Sequence, residues 1–346
     1  MRASVLKALK TIELEERTKP EPGAGEVLIQ MKAVGICGSD LHYYEHGRIG
    51  ERVAKPPFVL GHECAGVVTK VGPEVADLNV GDHVVIEPGL PCGECSSCRV
   101  GHYNLCPKVL FLSSPPNDGV LMEYICHPAK FTYKMPEGLS FELASLAEPL
   151  SVGLYTAQKT SIQPGSNIVI MGMGPVGLCM ILAAKWYGAS NIVVTDIEPY
   201  RLEIAKKIGA MDTIQVNHEA DRAGLLAEAD RLGGFDMVID TSGAEAAFDM
   251  AVNLLKRGGT IGGIGFPGGA KSTIPLLKMM QREIVYQPIY RYRHTFKHAL
   301  ALLEKEQEAA QLLLTDFFPM SQISAAFDYA ASNKDKSIKV IIHPDK

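Results

Sequence analysis

The chain has 346 residues, room for about two domains at roughly 150 residues each, and 47% hydrophobic with 21% charged residues excludes a disordered or fibrous protein. Lys and Arg number 34 against 39 Asp and Glu, a net charge of −5 with no long block of one sign. That balance excludes a nucleic-acid footprint or a polybasic membrane anchor and points to a small-molecule partner.

The opening stretch, MRASVLKALKTIELEERTK, carries charges every few residues where a signal peptide needs an apolar core, and no apolar run reaches the roughly 18 residues of a membrane span. A cytoplasmic protein without a membrane segment is expected. In that reducing setting eight cysteines are too few for a disulfide scaffold and are read first as metal or catalytic chemistry.

Up to about Gly153 short Val/Ile/Leu runs are broken by Gly, Pro and Asp, as in EVLIQMKAVG, ECAGVVTKVG and GDHVVIEPG. These are strands with tight turns. Within this part lie Cys37 in GICGSD, His62 and Glu63 in LGHE, and Glu148 in LAEPL, mixed S, N and O donors of the kind a catalytic zinc site uses. Each also has a bland reading: a buried small hydrophobe for Cys37, a satisfied core histidine for His62, a helix-end charge for Glu148. Neighbours on a strand face opposite ways, so His62 and Glu63 share an ion only if Gly61 bends the backbone. Pro149 is expected to hold Glu148 in an extended segment.

Cys92, Cys95, Cys98 and Cys106 form C-x2-C-x2-C-x7-C in a loop punctuated by Pro91, Gly93 and Gly101. Four thiolates converging on one ion close its shell, which makes the site structural. Free thiols and disulfides are the alternatives. An iron–sulfur cluster fits less well than zinc, because bacterial ferredoxin runs close with a three-residue gap and this one has seven.

From Asn167 onward strand-length apolar runs alternate with helix-length amphipathic stretches: NIVIMG and a helix to Tyr187, NIVVTD and a helix to Ile208, TIQV and a helix near Leu232, FDMVID and a helix to Leu255, then TIGGIGF. Regular alternation implies a parallel sheet with right-handed crossovers, a doubly wound nucleotide fold. Gly172, Gly174, Pro175, Val176 and Gly177 lie in GMGPVG between the first strand and its helix, where G-x-G-x-x-G brings backbone against a pyrophosphate at a helix N-terminus. Asp196 ends the next strand, where its carboxylate can accept from an adenosine ribose and repel a 2′-phosphate, so NAD is favoured over NADP. Arg201 lies over the adenine side or is an exposed helix arginine. After Pro288 come a helix from about His294 to Glu306, a second near Ile323 to Ala331, and a final strand IKVII.

GHE, the four-cysteine lobe and GMGPVG with Asp196 together resemble the zinc-containing medium-chain alcohol dehydrogenase superfamily. GICGSDLHYYEHGRIG, GDHVVIEPG, GHYNLCP, EPLSVG and YRYRHTF are similar to its sorbitol (polyol) dehydrogenase branch over nearly the whole chain. The resemblance implies an α/β protein with a GroES-like catalytic domain from residues 1–153 and 289–346, a Rossmann domain over 154–288, and a homotetramer. It implies a catalytic zinc on Cys37, His62 and Glu63, with Glu148 beside it through water or as an alternating ligand, and a second, structural zinc on the four cysteines. Glu148 stands where alcohol dehydrogenases commonly have Cys, and makes the site more oxygen-rich. Cys64, where a small or aromatic residue is expected, reads as packing.

The implied reaction is reversible oxidation of a secondary hydroxyl of a polyol to a ketose, with hydride passing to NAD. Ser39 and His42 match a relay handing the alcohol proton to solvent, although a serine there also serves as a simple cap. Tyr43, Arg291 and Tyr292 match positions that bond polyol hydroxyls, or else pack at a surface. A threonine or butanediol dehydrogenase is the nearest alternative, and a non-catalytic NAD-binding structural protein or a zinc-free reductase the more distant ones.

Overall fold

The computed structural model describes residues 1–217, 219–266 and 273–345, and the chain divides into two units. The first comprises Met1–Glu148, Phe296–Gln307 and Leu314–Lys346, and the second comprises Pro149–Thr295 and Glu308–Leu313. The division falls inside the helix Ala147–Lys159, and the tail joins the first unit at Phe296. The first point does not show in sequence texture, because an unbroken helix carries no boundary signal. Among the described residues no helix is long and apolar enough to cross a membrane.

In the first unit the strand Glu26–Gly35 is central. It pairs with Glu63–Val71 on one side and with the final strand Lys339–His343 on the other, while Tyr124–Pro128 also joins it. Its pattern EVLIQMKAVG buries Val27, Leu28, Ile29, Met31, Ala33 and Val34, so both faces of much of this strand are covered. A smaller sheet, with Arg2–Ala8 between Thr11–Glu16 and Phe58–Val59, contributes Val5, Leu6 and Phe58 to the same core, which Phe327 of the helix Ile323–Ser332 completes. The sequence reading missed the strand Leu314–Pro319, which pairs in parallel with Lys339–His343. Its residues LTDFFP show no clean alternation, and only the late partner strand makes them extended.

A buried carboxylate ties this unit together. Glu87 accepts one hydroxyl from Tyr103 and one from Tyr133, both at 2.8 Å, and its backbone carbonyl lies 3.2 Å from His127 Nε2. Burial pushes the Glu87 carboxyl up against the two phenol donors. It pushes the His127 imidazole down from 6.5 to about 4, against the backbone partners Glu87 and Phe131. His127 is therefore neutral in the folded protein while the unfolded chain takes up a proton near pH 6.5. Stability contributed by this difference is intact above that value and is lost as pH falls toward 4, by about 2 kcal/mol at about pH 5. Urea unfolding at about pH 7.5 and about pH 5 should show a loss smaller by that amount in His127→Gln. An equal loss in both proteins would remove His127 as the cause.

The second unit is a six-stranded parallel sheet: β1 (Asn167–Met171), β2 (Asn191–Asp196), β3 (Asp212–Gln215), β4 (Phe235–Asp240), β5 (Leu255–Gly263) and β6 (Val285–Pro288). Its order is β3-β2-β1-β4-β5-β6, the doubly wound dinucleotide arrangement. Val169, Val193, Val238 and Ile261 are fully buried, as strands covered on both faces require. The switch in strand order falls between β1 and β4, where the loops that follow these strands leave a crevice for a ligand.

Candidate functional site

Cys37, His62 and Glu63 each offer a donor atom, and all three donors lie within 4.8 Å of one another. Two local features bring them there. Cys37 caps the helix Gly38–His46 from an extended backbone, with its N–H donating to Asp40 Oδ2 at 3.1 Å. Gly61 takes φ +93°, and a Cβ there would meet Leu121 Cγ at 2.9 Å, so only glycine permits the bend that turns His62 before the strand begins at Glu63. The adjacent imidazole and carboxylate thus reach one point despite their sequence neighbourhood.

Asp40 organises the cluster. It is fully buried, and its Oδ1 accepts from Ser113 Oγ at 2.6 Å and from the Gly61 N–H at 3.1 Å, with His62 Nδ1 at 3.5 Å. Burial alone would raise its carboxyl; the His62 ring and the donors Ser113 and Cys37 outweigh it and hold it below the usual range. Glu63 is buried too, and Lys339 from the final strand donates to its Oε2 at 2.6 Å and to the Ile36 carbonyl at 3.2 Å. Sulfur, imidazole and carboxylate oxygen in one cluster, His62 and Glu63 buried and Cys37 half-buried, with a carboxylate behind the imidazole, suit zinc.

Glu148 lies outside that three-donor set but close enough to Cys64 for its charge, with that of Glu63, to add to the burial that raises the Cys64 thiol. Cys64 is a buried core residue. Contrary to the expectation of an extended backbone, Glu148 sits in the first turn of the helix Ala147–Lys159. Proline is tolerated in a first turn because the N–H it lacks has no helical acceptor there, so Pro149 does not break the helix.

The four lobe cysteines also converge: Cys95 Sγ is 3.4 Å from Cys98 Sγ, Cys106 Sγ 3.5 Å from Cys92 Sγ, and Cys92 Sγ 4.0 Å from Cys98 Sγ. A tetrahedron with zinc–sulfur bonds of about 2.3 Å has edges of about 3.8 Å, so this cage fits a zinc ion. Tyr103, within the lobe, anchors it through Glu87.

In the second unit Gly172 takes φ +94°, and a Cβ on Gly177 would lie 1.9 Å from the Gly172 carbonyl oxygen, so the turn and the helix contact both require glycine. Gly174 caps the helix Pro175–Trp186, with Pro175 in its first turn and Val176 following. Asp196 is buried, its Oδ2 accepting from the Met173 N–H at 2.5 Å and its Oδ1 from the Glu198 N–H at 2.8 Å. Arg201 lies on the helix Pro199–Ile208 that follows, with Nε buried and without a hydrogen-bond partner among the described residues.

Two family models match this chain: the alcohol dehydrogenase GroES-like domain over residues 23–137 and the zinc-binding dehydrogenase over residues 175–305. Sorbitol dehydrogenase of Bacillus subtilis is 42% identical over 100% of this chain and 98% of its own length. The chain belongs to the zinc-containing medium-chain alcohol dehydrogenases, in their sorbitol dehydrogenase branch. L-idonate 5-dehydrogenase of Vitis vinifera is 36% identical over 99% of this chain and 94% of its own. Among solved structures, an Escherichia coli oxidoreductase/dehydrogenase of unknown specificity superposes with a TM-score of 0.92 at 35% identity, covering 99% of this chain and 98% of its own.

The remaining site residues of this dehydrogenase are dispersed. Ser39 and the exposed His42 lie one turn apart on the helix Gly38–His46. Tyr43 is buried in the first unit, its ring edge-on to Phe58. Arg291, at φ +54° with its guanidinium over the Tyr290 ring, and the buried Tyr292 belong to the second unit. Sequence reasoning missed Asp40 and Lys339. A lysine inside the apolar run IKVII was the available signal, since a charge in a central strand calls for a buried partner.

Proposed function

We propose that this dehydrogenase reversibly oxidises a secondary hydroxyl of a sorbitol- or xylitol-like polyol to a ketose with NAD, one zinc serving catalysis and a second the lobe. The observation that carries this reading is the convergent Cys37–His62–Glu63 cluster in a chain related end to end to sorbitol dehydrogenases. Cys37, His62 and Glu63 would hold the catalytic ion, with Glu148 beside them, and Cys92, Cys95, Cys98 and Cys106 the structural one. When bound, the catalytic zinc supplies a Lewis acid for the substrate oxygen.

The chain's own groups do the rest. Asp40 holds the His62 ring in orientation, and Lys339 pairs with Oε2 of the Glu63 carboxylate. Ser39 accepts the hydroxyl proton as it hands its own proton to His42, which releases one to water. Although His42 is largely exposed, partial desolvation of its ring lowers its pKa, with His46 and Lys334 adding and Glu45 opposing, which favours the neutral imidazole that accepts a proton. Tyr43, Arg291 and Tyr292 meet the other substrate hydroxyls, where an unpaired buried polar group costs about 1–3 kcal/mol.

The glycine loop takes the pyrophosphate, Asp196 the ribose and Arg201 the adenine side. Asp196→Asn keeps an acceptor for the Met173 N–H while removing the charge that repels a 2′-phosphate. Selectivity for NAD over NADP, measured as the ratio of kcat/KM values, should fall about thirty-fold, equivalent to about 2 kcal/mol. Unchanged selectivity would separate Asp196 from the ribose.

Cytoplasmic location and a homotetramer complete the proposal. Supporting association, β6 is an edge strand whose outer side is unpaired among the described residues, with its own Val285 and Tyr286 exposed, as are Leu276, Leu277 and Met280 of the helix that precedes it in the chain. An open edge flanked by apolar side chains is a surface that proteins ordinarily cover.

NADH absorbance with a panel of polyols, L-idonate, threonine and 2,3-butanediol tests the substrate class, with zinc measured on the same preparation. Turnover of threonine or butanediol alone, or less than one zinc per chain, would sink the polyol reading.

A further inference from the structure

The loop after β4 does more than connect β4 to its helix. Thr241 Oγ1 donates to the Gly172 carbonyl at 2.7 Å and lies 3.0 Å from the Met171 carbonyl, while the Thr241 N–H donates to Met171 O at 3.0 Å. The same hydroxyl bounds the space over the glycine turn: a Cβ on Gly172 would meet it at 2.8 Å and one on Gly177 at 3.2 Å. Asp240, buried at the end of β4, holds Thr241 in place from behind. Its Oδ1 accepts from the Ser242 N–H at 2.9 Å, the Ser242 hydroxyl at 2.7 Å and the Gly243 N–H at 3.2 Å. Its backbone carbonyl accepts from the Ile264 and Gly265 N–H groups at 2.8 and 3.1 Å, which brings in the loop after β5. The ends of β1, β4 and β5 are thereby joined at the switch point of the sheet.

We infer that Thr241, braced by Asp240, is a positioning residue for the coenzyme, its hydroxyl closing on the Gly172 carbonyl and holding the glycine loop in the shape that receives the pyrophosphate. The inference rests on the reading of that loop as the NAD site. A preformed loop spares the ordering cost that a loose one meets on binding. The hydroxyl touches backbone, so its removal acts on coenzyme affinity and leaves the chemical step alone.

The zinc-loaded enzyme is titrated with NADH by fluorescence, and KM for NAD and kcat are measured at saturating substrate, for the native chain, Thr241→Val and Thr241→Ser. Valine keeps the shape without the hydroxyl, and serine keeps the hydroxyl without the methyl. About tenfold weaker NADH binding and higher KM in Thr241→Val, with kcat within twofold and Thr241→Ser close to native, is the expected result. Equal NADH affinity in Thr241→Val and the native chain, or equal losses in both variants, overturns the role of the hydroxyl. Absence of NADH binding by the native chain itself overturns the NAD reading instead, and this inference with it. Should Thr241→Val fail to fold, Asp240→Asn, which retains an acceptor oxygen but weakens the brace, should bind NADH about threefold more weakly at unchanged kcat; unaltered binding in that variant overturns the proposal.

Discussion

Replacing Cys37 with Ala should lower kcat by about three to four orders of magnitude while leaving the dissociation constant for NADH within about twofold of native. Cys37 Sγ is one of three donors within 4.8 Å of one another, and loss of the ion that the proposed cluster would hold should remove several kcal/mol of charge stabilisation at the reacting oxygen. The glycine loop and Asp196 belong to the other unit of the chain, so coenzyme binding has no reason to follow. Zinc content should drop by one equivalent per chain, the four-cysteine site keeping its own ion. Turnover retained in Cys37→Ala would end the assignment of this cluster to catalysis; turnover lost together with NADH binding would point to a folding defect.

A second large effect is expected at Lys339. Both partners of the Lys339–Glu63 pair are nearly inaccessible, with side-chain exposures of 1% and 2%. Deleting one member of such a pair leaves an uncompensated buried charge, which costs about 3–5 kcal/mol. For a unit of this size that corresponds to a Tm lower by about 10 °C. Lys339→Met should show this loss most fully in metal-depleted protein, and added zinc should restore part of it by supplying a cation to Glu63. The double variant Lys339→Met/Glu63→Gln should recover most of the thermal stability, because neither charge is left alone, and yet stay inactive. Calorimetry of these three proteins with and without zinc checks the stability half, and an NADH turnover assay of each checks the activity half. A single variant as stable as the native chain would mean that the lysine is dispensable to the site.

Local pattern carried much of this protein. The alternation of NIVIM, NIVVTD and FDMVID with amphipathic stretches announces parallel strands covered by helices, because a strand buried on both faces must be apolar throughout. The glycine loop is equally plain, since the approach of Gly177 to the Gly172 carbonyl admits no side chain. The lobe cysteines are legible because all four donors lie within one short, turn-rich segment. Pattern failed where the partner was remote or the rule had a positional exception. The strand Leu314–Pro319 is extended because Lys339–His343 lies beside it, and Pro149 reads as a helix breaker unless its place in a first turn is known.

Strand and helix types, the coenzyme loop and the four-thiol lobe are thus written in neighbouring residues, whose propensities and spacing act over distances the chain spans locally. Long-range folding settles the Cys37–His62–Glu63 cluster. Cys37 approaches His62 and Glu63 because Asp40 binds the Cys37 and Gly61 backbones at once, with Ser113 behind it, and Glu63 keeps its charge in the interior because the last strand returns to set Lys339 against it. Such contacts join residues 21, 73 and 276 positions apart. No periodicity of 2 or 3.6 residues encodes them, since they arise only when the sheet has brought its distant strands into register.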